Sequence, residues 1–392
     1  MSENSGIPKV NISPLVNARA LYCFYYMALG AFMPFINLYY ERLGLSGVQI
    51  GTLAALPVFL AVTVTFLWGA AADAFRMHRA ILRTVLFLAP LAVFMLSQAS
   101  HFTALIPFVL AYALITSPIV PLLDSNALEV AKEHQRSYGE MRVWGSIGWA
   151  VSTWLVGLLI EALNIHWLFY CYILLITVTF LLSLFQPARK LTLQLSMGHG
   201  LRELFRHDFI VFLVSVFLLT TASGGVNSFF SLYMDQIGAG EGVIGFSWAL
   251  AALSELPVMI FSAPILRRIG AKGLLTTAFF IFILRWLMYS VIGAPVWALL
   301  VQLLHGLSFA AFLVGAVTFV SEHTPEGLST TAQAIFNTVA FGLASITGSM
   351  IGGYLYDTVG MTSMFRVFSL LGLVGVAVFL LAGKRKVIFV GG

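Results

Sequence analysis

Charge is what this sequence has least of. Asp, Glu, Lys and Arg make up 9% of its 392 residues, against about a quarter in a soluble globular protein. A water-soluble core cannot absorb a chain that is 60% hydrophobic, so the composition excludes a soluble fold and reads as a polytopic membrane protein. Cysteine is almost absent. Cys23 and Cys171 both fall inside apolar runs, which leaves no disulfide framework and no thiolate metal site. No phosphate-binding glycine loop, metal-ligand cluster, Ser-His-Asp arrangement or soluble signalling domain is visible. A membrane-embedded enzyme or sensor therefore has little to work with, and neither cofactor nor metal is expected. The basic residues are spread through short loops rather than gathered in a patch, so the pI near 9.2 does not imply nucleic acid as a partner. The first sixteen residues hold no apolar core region, and no cleavable signal peptide is read.

What is present is a series of apolar runs, each near the roughly 20 residues that a membrane span needs. They lie at 17–40, 48–71, 80–99, 103–130, 140–161, 165–186, 209–234, 242–265, 274–293, 296–321, 332–355 and 362–383. The expected fold is all-α and integral to the membrane, with twelve transmembrane helices. With both termini on the cytoplasmic side, the cytoplasmic segments hold seventeen of the 21 basic residues and the external loops one, Arg42. The positive-inside rule favours that orientation.

The longest polar stretch, 187–208, divides the chain into halves, 1–186 and 209–392. The halves resemble each other. "GAFMPFINLYYERLGLSGVQIG" (30–51) aligns without gaps to "GGVNSFFSLYMDQIGAGEGVIG" (224–245), with identities at Phe35/Phe229, Leu38/Leu232, Tyr39/Tyr233, Gly44/Gly238, Ile50/Ile244 and Gly51/Gly245. A shorter echo pairs Gly157 and Glu161 with Gly353 and Asp357. Six spans per half give the two repeats one orientation, the parallel arrangement of major facilitator transporters.

An ionisable side chain at mid-bilayer costs about 2.5–3.5 kcal/mol on insertion scales, so it marks a functional site by default. Glu255, Arg285 and His305 sit near the centres of the eighth, ninth and tenth spans. One reading is a structural Glu255–Arg285 ion pair with His305 hydrogen-bonded in the packing. The other is a ligand or proton site, since a purely structural pair is replaceable by apolar packing at little cost. In the first half, Asp124 lies near the inner end of the fourth span and Arg142 enters the fifth, with Trp149 seven residues on. From the residues alone these are either interfacial caps whose heads reach the headgroups or ligand contacts. "GAAADAFRMHR" between the second and third spans reads as a gating element: Gly69 permits close helix contact, and Asp73 with Arg76 and Arg79 latches one inner face. Asp357 and Arg366 read as a structural pair across the outer turn between the last two spans.

With these residues in view, the chain resembles the major facilitator superfamily over its whole length, and within it the branch of the lactose permease (oligosaccharide:proton symporters) and the phenylpropionate permease group. "GAFMPF", the degenerate "GAAAD…HR" latch and the stretch from Asp124 through "YGEMRVWGSIGWA" carry the resemblance. It implies that Asp124, Arg142 and Trp149 hold substrate. "LSELPVMIFSAPILRRIGAK", "ILRWLMYS" and "VQLLHGLSF" place Glu255, Arg285 and His305 on the family's membrane-embedded carboxylate, arginine and histidine. Three positions depart: Ser308 stands where the relatives carry a proton-carrying glutamate, Gln302 where they carry a lysine, and Ala74 where the latch usually has a basic residue after Asp73. The expected protein is a monomeric secondary transporter in a bacterial inner membrane, contacting lipid and moving a small organic solute (sugar, nucleoside or aromatic acid) with a proton by alternating access. Substrate falls to Asp124, Arg142, Trp149, Glu255 and His305, and proton coupling to Glu255, Arg285 and His305. An uncoupled facilitator or a proton-antiporting exporter is the alternative.

Overall fold

A computed structural model describes residues 13–186, 207–325 and 328–382. Most of the expected 187–208 linker lies outside those residues, as does the side chain of Asp73. Among the described residues there is no strand. The first half comprises α1 (Pro14–Arg42), α2 (Gly47–Phe75), α3 (His78–Ser97), α4 (Phe102–Glu133), α5 (Tyr138–Ala162) and α6 (Trp167–Ser183). The second comprises α7 (His207–Gln236), α8 (Glu241–Ile260), α9 (271–289), α10 (Pro295–His323), α11 (329–359) and α12 (361–382).

The twelve spans are as expected, and their ends move for identifiable reasons. The eighth stops at Ile260 instead of running to 265, because Pro264 has no N–H with which to continue the ladder. A short helical piece follows and turns into α9 at Gly270, where φ is 66°. Gly360, at φ 77°, divides α11 from α12. The sixth helix is only 17 residues long, and its last three residues continue as tighter turns, with amides of Leu184, Phe185 and Gln186 bonded three residues back.

The repeat in the sequence is a repeat in the structure. Gly44 and Gly238 both adopt positive φ, 78° and 88°, in the region only glycine enters freely. Both close the same helix end: the Gly44 and Gly238 amides donate to Glu41 and Asp235, and the next amides to Tyr40 and Met234. The paired Phe35/Phe229, Leu38/Leu232 and Ile50/Ile244 are fully buried.

The halves meet along α2 against α11 and α5 against α8, with α1 beside α7. Small residues bring the backbones together: a Cβ on Gly245 would run into the Thr153 carbonyl, and one on Gly353 into that of Gly47. The echoed carboxylates cross this interface in opposite directions. Glu161 of α5 accepts the Gly242 amide at the start of α8 (2.8 Å). Asp357 of α11 accepts the Gly47 and Val48 amides at the start of α2 (2.6 and 2.8 Å). Each carboxylate thus caps a helix of the other half, where free amides and the helix dipole favour negative charge. The expected Asp357–Arg366 pair does not form, because Asp357 is already spent on the helix that the fold brings opposite it. Arg42 adds ion pairs to Glu241 (2.6 Å) and Asp235 (3.3 Å), and Tyr356 donates to Glu41 (3.1 Å).

All of these bonds lie at the end that carries the α1–α2 and α7–α8 turns, which the charge bias assigns to the outside. At the opposite end no hydrogen bond or ion pair joins the halves among the described residues. A Cβ on Gly69 would meet nothing within 4 Å, so the close helix contact read there is absent in this conformation. Arg76 turns the chain at φ 53°, and Arg79 Nε is buried without a hydrogen-bond partner.

Candidate functional site

On α5, Arg142, Ser146 and Trp149 recur at helical spacing and therefore share a face. That face lines a cavity of about 170 Å³ whose other walls are Tyr26 of α1 and Ala252 and Glu255 of α8. The cavity is built by both halves, and it brings together Arg142, Trp149 and Glu255 of the expected residues. Arg142 is exposed to it and has no carboxylate within ion-pair distance among the described residues. Its electrostatic neighbours are the hydroxyls of Tyr26 and Tyr138, with Asp124 behind them.

Asp124 does not line this cavity. Its carboxylate accepts the Tyr22 hydroxyl, which also lies 3.2 Å from the Tyr138 hydroxyl. Tyr22 stacks on Tyr26 with ring centroids 5.7 Å apart. Asp124 therefore acts one tyrosine away from the space where Arg142 sits, through a network of hydroxyls.

In the second half the Glu255–Arg285 ion pair weighed from the sequence does not exist. His305 stands between the two: its Nε2 is 3.4 Å from Glu255 Oε1, and its Nδ1 is 3.2 Å from an Arg285 guanidinium nitrogen. Arginine only donates, so Nδ1 accepts and the proton of the neutral ring is on Nε2, facing the carboxylate. Arg285 is buried, 5% exposed, and its remaining bonds go to neutral oxygens: Ser308 Oγ (2.7 Å), Gln302 Oε1 (2.6 Å) and Tyr289 Oη (3.2 Å). Tyr289 in turn donates to Gln302 (2.7 Å). The nearest acid reaches this cation only through an imidazole.

Backbone contact sets the Glu255–His305 register. Directly after His305 the tenth helix widens into a π-turn, Gly306–Ala310, a distortion that often marks functional sites. The Gly306 amide donates to Ser254 Oγ (2.9 Å), and a Cβ on Gly306 would collide with the Ser254 carbonyl. The neighbours of the carboxylate and of the imidazole are thus pressed together.

This fold is that of a known family of transporters. The model of the MFS_1 like family, a major facilitator group, matches residues 15–367. The chain belongs to that family. It is 31% identical over 371 residues to the maltose permease of Geobacillus stearothermophilus, covering 93% of each chain. It is 25% identical over 358 residues to the probable 3-phenylpropionic acid transporter of Escherichia coli (strain K12), covering 90% of this chain and 93% of that one. Among solved structures, the nucleoside transporter NupG superimposes with a TM-score of 0.83 at 18% identity, over 96% of this chain and 100% of that one, a likeness of fold. The protein is a multi-pass membrane transporter of small solutes, not an enzyme.

In this major facilitator chain the residues that sequence reasoning passed over are the tyrosines. "YCFYY" (22–26) sets Tyr22 and Tyr26 four apart on one face of α1, a signal that was available. Tyr138, beyond a turn, gave none. Gln302 and Ser308, noted as departures from the relatives, are both acceptors for Arg285.

Proposed function

We propose that the protein imports a small organic solute with a proton across a bacterial inner membrane by alternating access, as a monomer whose two termini are cytoplasmic. The observation that carries this reading is the cavity with Arg142 on one half and Glu255 on the other, beneath an outer end closed by cross-half bonds. Closing the inner end and opening the outer requires Glu161 and Asp357 to leave the helix ends they cap. The central residues, bound to neither cap, stay in place while access to them switches. The basic inner loops support the orientation, and the bacterial permeases among the relatives support the membrane.

Arg142 and Trp149 hold the solute, and Asp124 orients Arg142 through the tyrosines. Glu255 carries the proton. It borders the cavity, whereas the Nδ1 of His305 is already occupied by the Arg285 donor. Ser308, without a carboxyl, takes no part. Asp73, with Gly69, Arg76 and Arg79, forms the inner latch in the opposite conformation. The test is uptake into proteoliposomes with and without an imposed pH gradient. Wild type accumulates solute against its gradient, and Glu255→Gln exchanges it but no longer accumulates. Simple equilibration by the wild type overturns symport and leaves a facilitator. Accumulation that persists in Glu255→Gln moves the proton to Asp124 or His305.

A further inference from the structure

Trp149 borders a second cavity as well. It occupies about 280 Å³ between α1, α2, α3, α4, α5, α7 and α8. Most of its lining is apolar, including Phe32, Met33, Leu53 and Val58. Its polar groups are few and already committed in part. The Asn37 side-chain amide donates to the Ser228 carbonyl (2.8 Å). Trp248 sends its indole N–H to Ser231 Oγ (3.0 Å), so it offers the chamber a ring and no donor. Pro34 and Pro57, both in the wall, contribute no N–H. The two cavities together fall within the range of small-molecule sites, roughly 300–1,000 Å³, and their characters differ: one holds a cation without a paired acid, the other two tryptophans and apolar side chains.

We infer that the transported solute is an amphipathic organic acid, its carboxylate on Arg142 in the inner cavity and its apolar ring, aromatic or alicyclic, in the outer chamber past Trp149. This rests on the central cavity being the solute site. A polyhydroxylated ring of the same size is disfavoured, because its hydroxyls need partners on every edge and most of the lining is apolar, with polar groups only on Asn37, Tyr40, Tyr112, Asn227, Ser228 and the two tryptophans. A flat ring needs only faces, which Trp149 and Trp248 supply. The carboxylate suits the planar guanidinium fork of Arg142. Glu255 lines the same cavity, so an incoming anion meets a like charge unless Glu255 is protonated. Anion and proton therefore favour each other's binding. Glu255 gains one proton as the carboxylate arrives, no bond other than that O–H forms, and the loaded cavity carries no net charge change.

The experiment titrates four probes into the purified full-length protein: 3-phenylpropionate, its uncharged amide, hexanoate and maltose. The expected order is 3-phenylpropionate first, with the amide and hexanoate each at least tenfold weaker and maltose without measurable binding. Calorimetry in buffers of different ionisation enthalpy reads uptake of about one proton with 3-phenylpropionate and none in Glu255→Gln. Ala54→Phe fills the chamber and leaves Arg142 untouched. It lowers affinity for 3-phenylpropionate at least tenfold and that for hexanoate less than threefold, while Met33→Phe repeats the filling from the opposite wall. Maltose binding in place of the acid, equal affinity for acid and amide, no binding of either ring probe, or chamber-filled variants that bind 3-phenylpropionate like wild type each overturn the inference. Failure of the broader reading looks different: the acid binds with this order of preference and Arg142→Ala leaves it unchanged, so that the solute sits outside the central cavity.

Discussion

The two halves use the same turn, at Gly44 and Gly238, and the same device of a carboxylate reaching across to cap the other half's helix. They treat their arginines in opposite ways. Arg142 is exposed to the cavity with no carboxylate among the described residues at ion-pair distance, whereas Arg285 is buried and bonded to four neighbours, none of them a carboxylate. The duplicated scaffold is kept and the chemistry placed on it has diverged. A cation whose terminal nitrogens are held by four neutral acceptors, Nε alone lacking a partner, is fixed in position and orients a neighbour, here His305. A cation at a cavity wall whose neighbours are tyrosine hydroxyls and not a paired carboxylate is available to a ligand. The difference between anchor and ligand donor lies in the surroundings, not in the residue type.

The comparison breaks most visibly if both arginines respond alike to truncation. Arg285→Ala removes a buried side chain, leaves Ser308 Oγ and His305 Nδ1 without the guanidinium donor, and leaves Gln302 with Tyr289 alone. Such losses cost about 2–4 kcal/mol, so thermal unfolding in detergent should show a clear drop in midpoint. Arg142→Ala should unfold close to wild type. Equal destabilisation would make Arg142 a structural residue too.

Binding sharpens the same contrast from the other side. Arg142→Lys keeps the charge and loses the fork, and a bidentate contact is not reproduced by an ammonium. Solute affinity measured by equilibrium titration should fall at least a hundredfold, about 2.7 kcal/mol. An affinity within threefold of wild type would return Arg142 to the role of an interfacial anchor.

Gly306→Ala tests the register between α8 and α10. The added methyl meets the Ser254 backbone and forces the helices apart, separating His305 from Glu255. We expect pH-driven accumulation in proteoliposomes to fall about tenfold while exchange without a gradient falls less. Equal losses in both would assign Gly306 to packing alone.

The capping carboxylates should give the smallest effect. A helix cap is worth about 0.5–2 kcal/mol, so Asp357→Asn and Glu161→Gln should each raise labelling of a cysteine at position 33 from the outside by a few-fold, in a background where Cys23 and Cys171 are serine. Asp357 accepts two amides and Glu161 one, which makes Asp357→Asn the larger. The reverse order, or no change in either, would remove the caps from the gating step.

The amino-acid sequence by itself determined the twelve spans, the repeat and the mid-membrane residues Glu255, Arg285 and His305. These follow from local quantities: hydropathy summed along about 20 residues, glycine where φ turns positive, and the spacing that puts Arg142 and Trp149 on one helix face. Partner choice was decided only by the tertiary structure. Asp357 reads along the chain as a neighbour of Arg366, yet it binds the start of α2, more than 300 residues away in sequence. Glu255 and Arg285 look complementary, yet His305 occupies the space between them. Gly69 is small enough for close contact, yet a Cβ there would meet nothing within 4 Å. Hydrogen bonds and ion pairs act over about 3 Å, so their identity depends on which helix lies opposite and how far it is rotated. Those are properties of the packed bundle, and no single segment contains them.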